Sequence, residues 1–298
     1  MDKPVSDHRV GIIGGTGLAD ALALLLTEAR TQPTTTPFGD PSAPLQFGTL
    51  DGVQVVLLLR HGARHEFSPT TVPYKANIAA LKMAGCTHVI CSGATGSLRE
   101  SIEPGSIVLC NQFIDRTVHR SRTFFEDAAV HVEFADPCCP VMHRWLLDAA
   151  ERLPDLTVHP VGTYICMEGP AFSTRAESHL HRSMGGDLIG MTAVPEARLA
   201  REAEMAYALV ALPTDFDCWR PDDRNEGVLS TVTANLLAAT NAAVTLIREA
   251  LRDTAMLCST PSPAHRALDR AIWTSSDAIG PVSRRWLGIV RPPKPEVD

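Results

Sequence analysis

Apolar residues fall into short unbroken runs closed by glycine or a polar residue, and these runs alternate with stretches of helical period. Val10 to Ile13 runs into Gly14-Gly15-Thr16-Gly17, and Val53 to Leu59 stops at Arg60-His61-Gly62. His88 to Cys91 gives way to Ser92-Gly93-Ala94-Thr95-Gly96-Ser97. Each reads as a buried strand entering a turn. Ser106–Cys110, Val158–Met167, the brief step Leu188–Ile189 and Tyr207–Leu212 extend the series. Helical period marks Tyr74–Ala84, with Gly85 as its C-terminal cap, and Val141–Leu153, stopped by Pro154. It also marks Pro195–Met205, with proline in the first turn, and the long Ala/Leu-rich Val228–Leu251. Residues 31–44, rich in Thr and Pro, read as a surface loop. Strands alternating with helices predict an α/β protein with a central mixed β-sheet flanked by helices.

The pattern changes near residue 254. Pro261, Pro263, Pro281, Pro292, Pro293 and Pro295 interrupt it. One short helix is expected over Ala264–Trp273, and the last ten residues or so are expected to be loose. The chain thus divides into a main unit, residues 1–253, and a partly helical C-terminal extension, residues 254–298.

Composition narrows the class. The 298 residues are 45% hydrophobic and 20% charged, a globular profile that excludes a disordered chain, a fibre and a coiled coil. Twenty-seven basic against 34 acidic residues leave a net charge of -7, so no general attraction to nucleic acid or an anionic membrane follows. The eight cysteines form no CxxC pair and sit partly inside apolar runs, which points to a reduced, cytoplasmic setting. Met1-Asp2-Lys3-Pro4 shows no signal-peptide pattern, and no run reaches the roughly 18 apolar residues of a membrane span. His61 with His65, and His179 with His181, lack the companion spacing of a metal site, so no metal is expected.

Candidate chemistry gathers just past the strand ends, where ligands bind in open α/β sheets. Gly14-Gly15-Thr16-Gly17 can cradle an anion with backbone amides and the Thr16 hydroxyl, or be a plain tight turn; it is neither GxGxxG nor a P-loop. Arg60-His61 suits phosphate, or a solvated strand end. Ser92–Ser97 reads as another strand-to-turn with exposed amides. In Thr214-Asp215-Phe216-Asp217, two carboxylates at i and i+2 of an extended backbone share a face and can address one planar ligand. One would accept from an exocyclic amine while the other, protonated, donates to a purine N7; an Asp-rich turn is the plainer alternative. Phe172 can stack on a base, Met191 lie under a ribose and Thr192 donate to phosphate, or all three can serve the core.

Taken together and in this order, these segments resemble the purine nucleoside phosphorylase family, in its methylthioadenosine phosphorylase branch, from about Gly11 to Leu251. The resemblance is carried by Gly11-Ile12-Ile13-Gly14-Gly15-Thr16-Gly17-Leu18, Arg60-His61-Gly62, Gly85-Cys86-Thr87-His88-Val89-Ile90 and Gln112-Phe113-Ile114-Asp115-Arg116-Thr117. It continues through Glu168-Gly169-Pro170, Met191-Thr192-Ala193-Val194-Pro195-Glu196-Ala197 and Thr214-Asp215-Phe216-Asp217-Cys218-Trp219. It implies that residues 1–253 form the catalytic domain and that Thr16, Arg60, His61, the amide of Ala94 and Thr192 hold phosphate. It further implies Met191 at the ribose hydroxyls, Phe172 on the base, Ser173 at its polar edge, Asp215 at N7 and Asp217 at the 6-amino group. Val228 and Val232 would wall the 5′ end, and His131 would reach a neighbour's site in a homotrimer.

The implied reaction is phosphorolysis of a 5′-substituted 5′-deoxyadenosine, with inorganic phosphate as co-substrate and no cofactor. A 6-oxopurine phosphorylase, a phosphate-independent nucleosidase and a nucleotide-binding regulator or oxidoreductase are the competing readings. Gly93 stands where the branch commonly has a phosphate-contacting Thr, Ala171 replaces a common Arg, and the tail beyond Leu251 is longer than usual.

Overall fold

The computed structural model describes residues 9–15, 17–220 and 228–292, without the side chains of 228–232. Strand β1 (Arg9–Gly14) is apolar almost throughout because both its faces are covered. It runs parallel to β4 (Val53–Leu59) on one side and β5 (Cys86–Ser97) on the other. The helix α1 (Leu18–Ala23) follows β1 directly. Two antiparallel strands, β2 (Thr27–Gln32) and β3 (Leu45–Leu50), close the edge beyond β4.

The other side of β5 is divided. From His88 to Gly96 it pairs in parallel with β11 (Ala206–Asp215), which pairs in turn with β6 (Ile107–Cys110) and, through it, β8 (Val158–His159). At Gly96 and Ser97 it also meets β10 (Leu188–Gly190) in antiparallel pairing, and β10 continues through β9 (Thr163–Cys166) to β7 (Gln112–Asp115). A register shift between Pro213 and Asp215 accompanies this branching and bends the end of β11.

Helices cover both faces. The first core holds α2 (Tyr74–Met83) and α5 (Ala193–Glu202). The second holds α1, α3 (Pro140–Glu151) and α6 (Val228–Leu251). The helix α4 (Arg175–Ser183) starts at Thr174 with a capping box closed by Glu177.

Several expectations need correction. Ser92–Ser97 is strand rather than turn, because β11 and β10 supply partners for its backbone. Val158–Met167 is two strands parted around Gly162, not one. The loop after Gln32 is partly internal: Ser42 is buried, its amide donating to Asn77 Oδ1 at 2.8 Å and its hydroxyl to Leu59 O at 2.7 Å.

The extension is also more ordered than its prolines imply. It contains α7 (Ala255–Ser259), only a 3-10 turn at Pro263–Arg266 in the span expected to be helical, and α8 (Pro281–Val290). Proline is tolerated at the first helical position, where its missing N–H has no intrahelical role. Asp127 accepts from the amides of Val282 and Ser283 at the start of α8. Leu268, Ala271, Trp286 and Val290 join the core around α2 and α5. All eight cysteines are free thiols. Among the described residues no helix is long and apolar enough to cross a membrane.

Candidate active site

A cavity of about 390 Å³ opens at the C-terminal ends of β4, β5 and β11. The structure brings Arg60, His61, Ala94, Phe172, Met191, Thr192, Asp215 and Asp217 to its wall. Ser173 lies outside the wall and turns its hydroxyl to Met167 Sδ, 3.6 Å away. His131 is exposed at another part of the surface, edge-on to Trp273 with ring centroids 5.4 Å apart. Thr16 and the side chains of Val228 and Val232 lie outside the described residues.

One end of the cavity is rich in donors. Arg60 is 1% exposed and pairs with Glu196, itself fully buried, through Nε–Oε1 at 2.5 Å and Nη2–Oε2 at 3.1 Å. Its Nη1 donates to Ser92 O at 2.7 Å, leaving further Nη hydrogens for the cavity. Burial opposes the charge, but Glu196 outweighs it and holds the guanidinium protonated. Glu196 was not singled out from the sequence. The available signal was a carboxylate within an apolar helical stretch, which needs a buried partner. Thr192 flanks this end: a Cβ on Gly93 would stand 3.5 Å from its hydroxyl.

His61 is half-buried beside Arg60 and parallel to the ring of His65, at 5.6 Å between centroids. Its Nδ1 is 2.9 Å from Phe67 O. Burial first, and then the neighbouring Arg60 charge, hold its pKa below the usual imidazole value.

The opposite end carries the two carboxylates. Asp215 closes β11; its Oδ2 accepts from the Thr214 hydroxyl at 2.9 Å and its Oδ1 from the Asp217 amide at 2.7 Å. Their convergence does not come from extended backbone, as the spacing alone predicts. Asp217 has φ +51°, so a tight turn capped by Asp215 folds the second acid back. Asp217 Oδ2 is buried with no hydrogen-bond partner among the described residues. Gly96 makes the room: a Cβ there would approach Ile189 to 2.9 Å and Asp217 to 3.0 Å. Gly93 beside Thr192 and Gly96 beside the acids are three strand residues apart, on the order of 10 Å.

A buried arginine from the loop after β7 ties the floor together. Arg120 Nε donates to Glu168 Oε1 at 2.9 Å, Nη1 to Met191 O and to Val194 O at 3.1 Å, and Nη2 to Glu168 O at 2.6 Å. Burial works against the charge of Glu168, but the amides of Val118 and His119 and the Arg120 guanidinium outweigh it and bring its pKa down to about 2. Arg120 went unnoticed in the sequence because its partners are mostly carbonyls, which carry no sequence signature. Phe67, Pro69 and Leu236 add an apolar stretch of wall; Leu236 lies on α6, one turn beyond the expected Val232.

Residues 9–252 match the Phosphorylase superfamily. The S-methyl-5'-thioadenosine phosphorylase of Thermosynechococcus vestitus is 46% identical over 95% of this chain and 97% of its own length. That of Rhodospirillum rubrum is 45% identical over 97% and 98%. A crystal structure of a methylthioadenosine phosphorylase from an antarctic soil metagenomic library superposes with a TM-score of 0.87 at 41% identity, covering 97% of this chain and 100% of its own. The Schistosoma mansoni methylthioadenosine phosphorylase in complex with adenine gives 0.81 at 34% identity, covering 89% and 99%. With the strand-end cavity, the mixed sheet and this near full-length similarity in agreement, the chain belongs to the phosphorylase superfamily, in its methylthioadenosine phosphorylase branch.

Proposed function

We propose that this protein catalyses phosphorolysis of 5′-methylthioadenosine, or a closely related 5′-substituted 5′-deoxyadenosine, to adenine and the 5-substituted ribose 1-phosphate. The observation that carries the reading is one cavity with a donor-rich end at Arg60 and Thr192 and, three strand residues further along β5, on the order of 10 Å, a buried acceptor with no donor among the described residues, Asp217 Oδ2. A 6-amino group supplies that missing donor. A 6-oxo purine would set an oxygen against Asp217 instead, leaving the carboxylate unsatisfied.

In this reading Arg60, His61, Thr192 and the Ala94 amide hold inorganic phosphate, joined by Thr16 as the family resemblance implies. Phe172, 85% exposed at the mouth, covers the base, and Met191 lies against the ribose. Ser173 would need to turn from Met167 to reach the base edge. As the bond between C1′ and N9 lengthens, positive charge grows on the ribose and negative charge on the purine. Asp215, steered by Thr214 and the Asp217 amide, supports the charge reaching N7, and phosphate forms the new bond at C1′. No covalent enzyme intermediate is required.

Leu236, Phe67 and Pro69, with Val228 and Val232 by resemblance, would accept an apolar 5′ group. His131 would serve a neighbouring copy in the family's homotrimer, and the free thiols suit a cytoplasmic enzyme. The deciding experiment is adenine release from 5′-methylthioadenosine with and without phosphate, together with a panel of 5′ substituents. Release undiminished without phosphate would sink the phosphorolysis reading.

A further inference from the structure

We infer that His61 makes the oxyanion end of the cavity selective for an anion that carries a proton, phosphate or arsenate, over one that carries none, sulfate. This rests on the phosphorolysis reading above and concerns a property that reading does not require.

His61 Nδ1 is hydrogen-bonded to Phe67 O at 2.9 Å. A carbonyl oxygen only accepts, so Nδ1 carries the hydrogen. The charged and titratable groups around the ring are Arg60, Glu196 and His65. Both carboxylate oxygens of Glu196 are already engaged by Arg60, and Arg60 and burial both resist a second cation here. The ring is therefore neutral near pH 7, and Nε2 presents a lone pair. His61 lines the cavity, and Nε2 has no hydrogen-bond partner among the described residues. At this end the Nη hydrogens of Arg60 and the hydroxyl of Thr192 can donate, while the ring of His65 lies parallel to that of His61, 5.6 Å between centroids. One acceptor set among donors matches an oxyanion with one O–H. In neutral solution phosphate and arsenate retain a proton, and sulfate does not. Sulfate would set an oxygen lone pair against Nε2 unless the ring first takes a proton from solvent.

The test is steady-state adenine release with phosphate or arsenate as co-substrate and sulfate as competitor, over about pH 6 to 8. Near the alkaline limit, sulfate should bind about tenfold or more weakly than phosphate or arsenate. Its inhibition should strengthen as pH falls, by up to about tenfold per unit, because its binding takes up one proton. In His61→Ala, phosphate and arsenate should weaken while sulfate does not, closing the gap. His61→Asn, whose amide can donate, should also close it. The inference is overturned if wild-type sulfate binding matches phosphate near pH 8, if it is independent of pH, or if the gap survives in both variants. Adenine release that needs no phosphate at all would instead overturn the functional reading.

Discussion

Glu196 changes what Arg60 can be. A buried guanidinium alone would be too costly to desolvate; paired through two hydrogen bonds, it becomes a rigid fork with donors to spare. Glu196→Ala should therefore destabilise the fold by about 3–5 kcal/mol, measured by denaturant unfolding, since it strands the arginine. The two acids should separate kinetically. Asp215→Ala is expected to lower kcat/KM by about 10²–10⁴-fold, as loss of a group acting on the leaving base. Asp217→Ala should cost nearer 10-fold, as loss of one base contact. Equal losses would contradict these roles. Gly93 offers a gain instead. It has no positive φ, and a Cβ there would make only ordinary contact with Thr192. Gly93→Thr should lower the phosphate KM by about 3- to 10-fold without loss of thermal stability. Arg60, the acids and Thr192 were readable because polar residues after an apolar strand stand out. Glu196 was not, because its partner lies 136 positions away.

The elements meet through a few buried polar ties. β5 looked like a short strand and a turn because Gly93, Gly96 and the hydroxyl residues weaken any strand pattern. Pairing with β11 and β10 overrides that local preference and lays Gly93–Gly96 along the cavity. Arg120 binds β9's exit to the approach to α5 through the carbonyls of Met167, Met191 and Val194. At the far end of α5, Glu202 accepts from the Phe124 amide at 2.7 Å and the Thr123 hydroxyl at 2.8 Å. Burial raises its pKa from the ordinary 4.5 to about 7 against the pull of these donors. The folded protein thus keeps a proton that the unfolded chain has released between those values, so this group's contribution to stability falls as pH rises through that window and is level above it. Glu202→Gln removes the charge. Its melting temperature should gain on the wild type as pH rises from about 4.5 to about 7, and a constant difference would refute the assignment.

Across the molecule, the C-terminal extension is part of the packing. Trp286 on α8 is fully buried and stacks on Phe124, ring centroids 4.3 Å apart, and Phe124 is the residue whose amide Glu202 accepts from. Truncating it should be felt as a core mutation: Trp286→Ala is expected to cost about 3–5 kcal/mol of unfolding free energy. The extension also reaches the His131 region, where Trp273 donates to Ala129 O at 2.9 Å and the His131 amide donates to Ala271 O at 2.9 Å. Prolines were a poor guide here, since Pro281 begins a helix rather than breaking one.

Local sequence settled what depends on neighbours in the chain. The alternation of apolar runs and helical periods announced an α/β protein, and polar residues at strand ends announced several of the side chains that line its cavity. Long-range packing settled everything that needs partners far apart along the chain: the Arg60–Glu196 pair, the branching of the sheet at β5, the floor held by Arg120 and the seat of α8. The physical reason is that a buried charge or an unpaired strand edge takes its conformation from whatever satisfies it, and that partner is fixed only when the chain has folded.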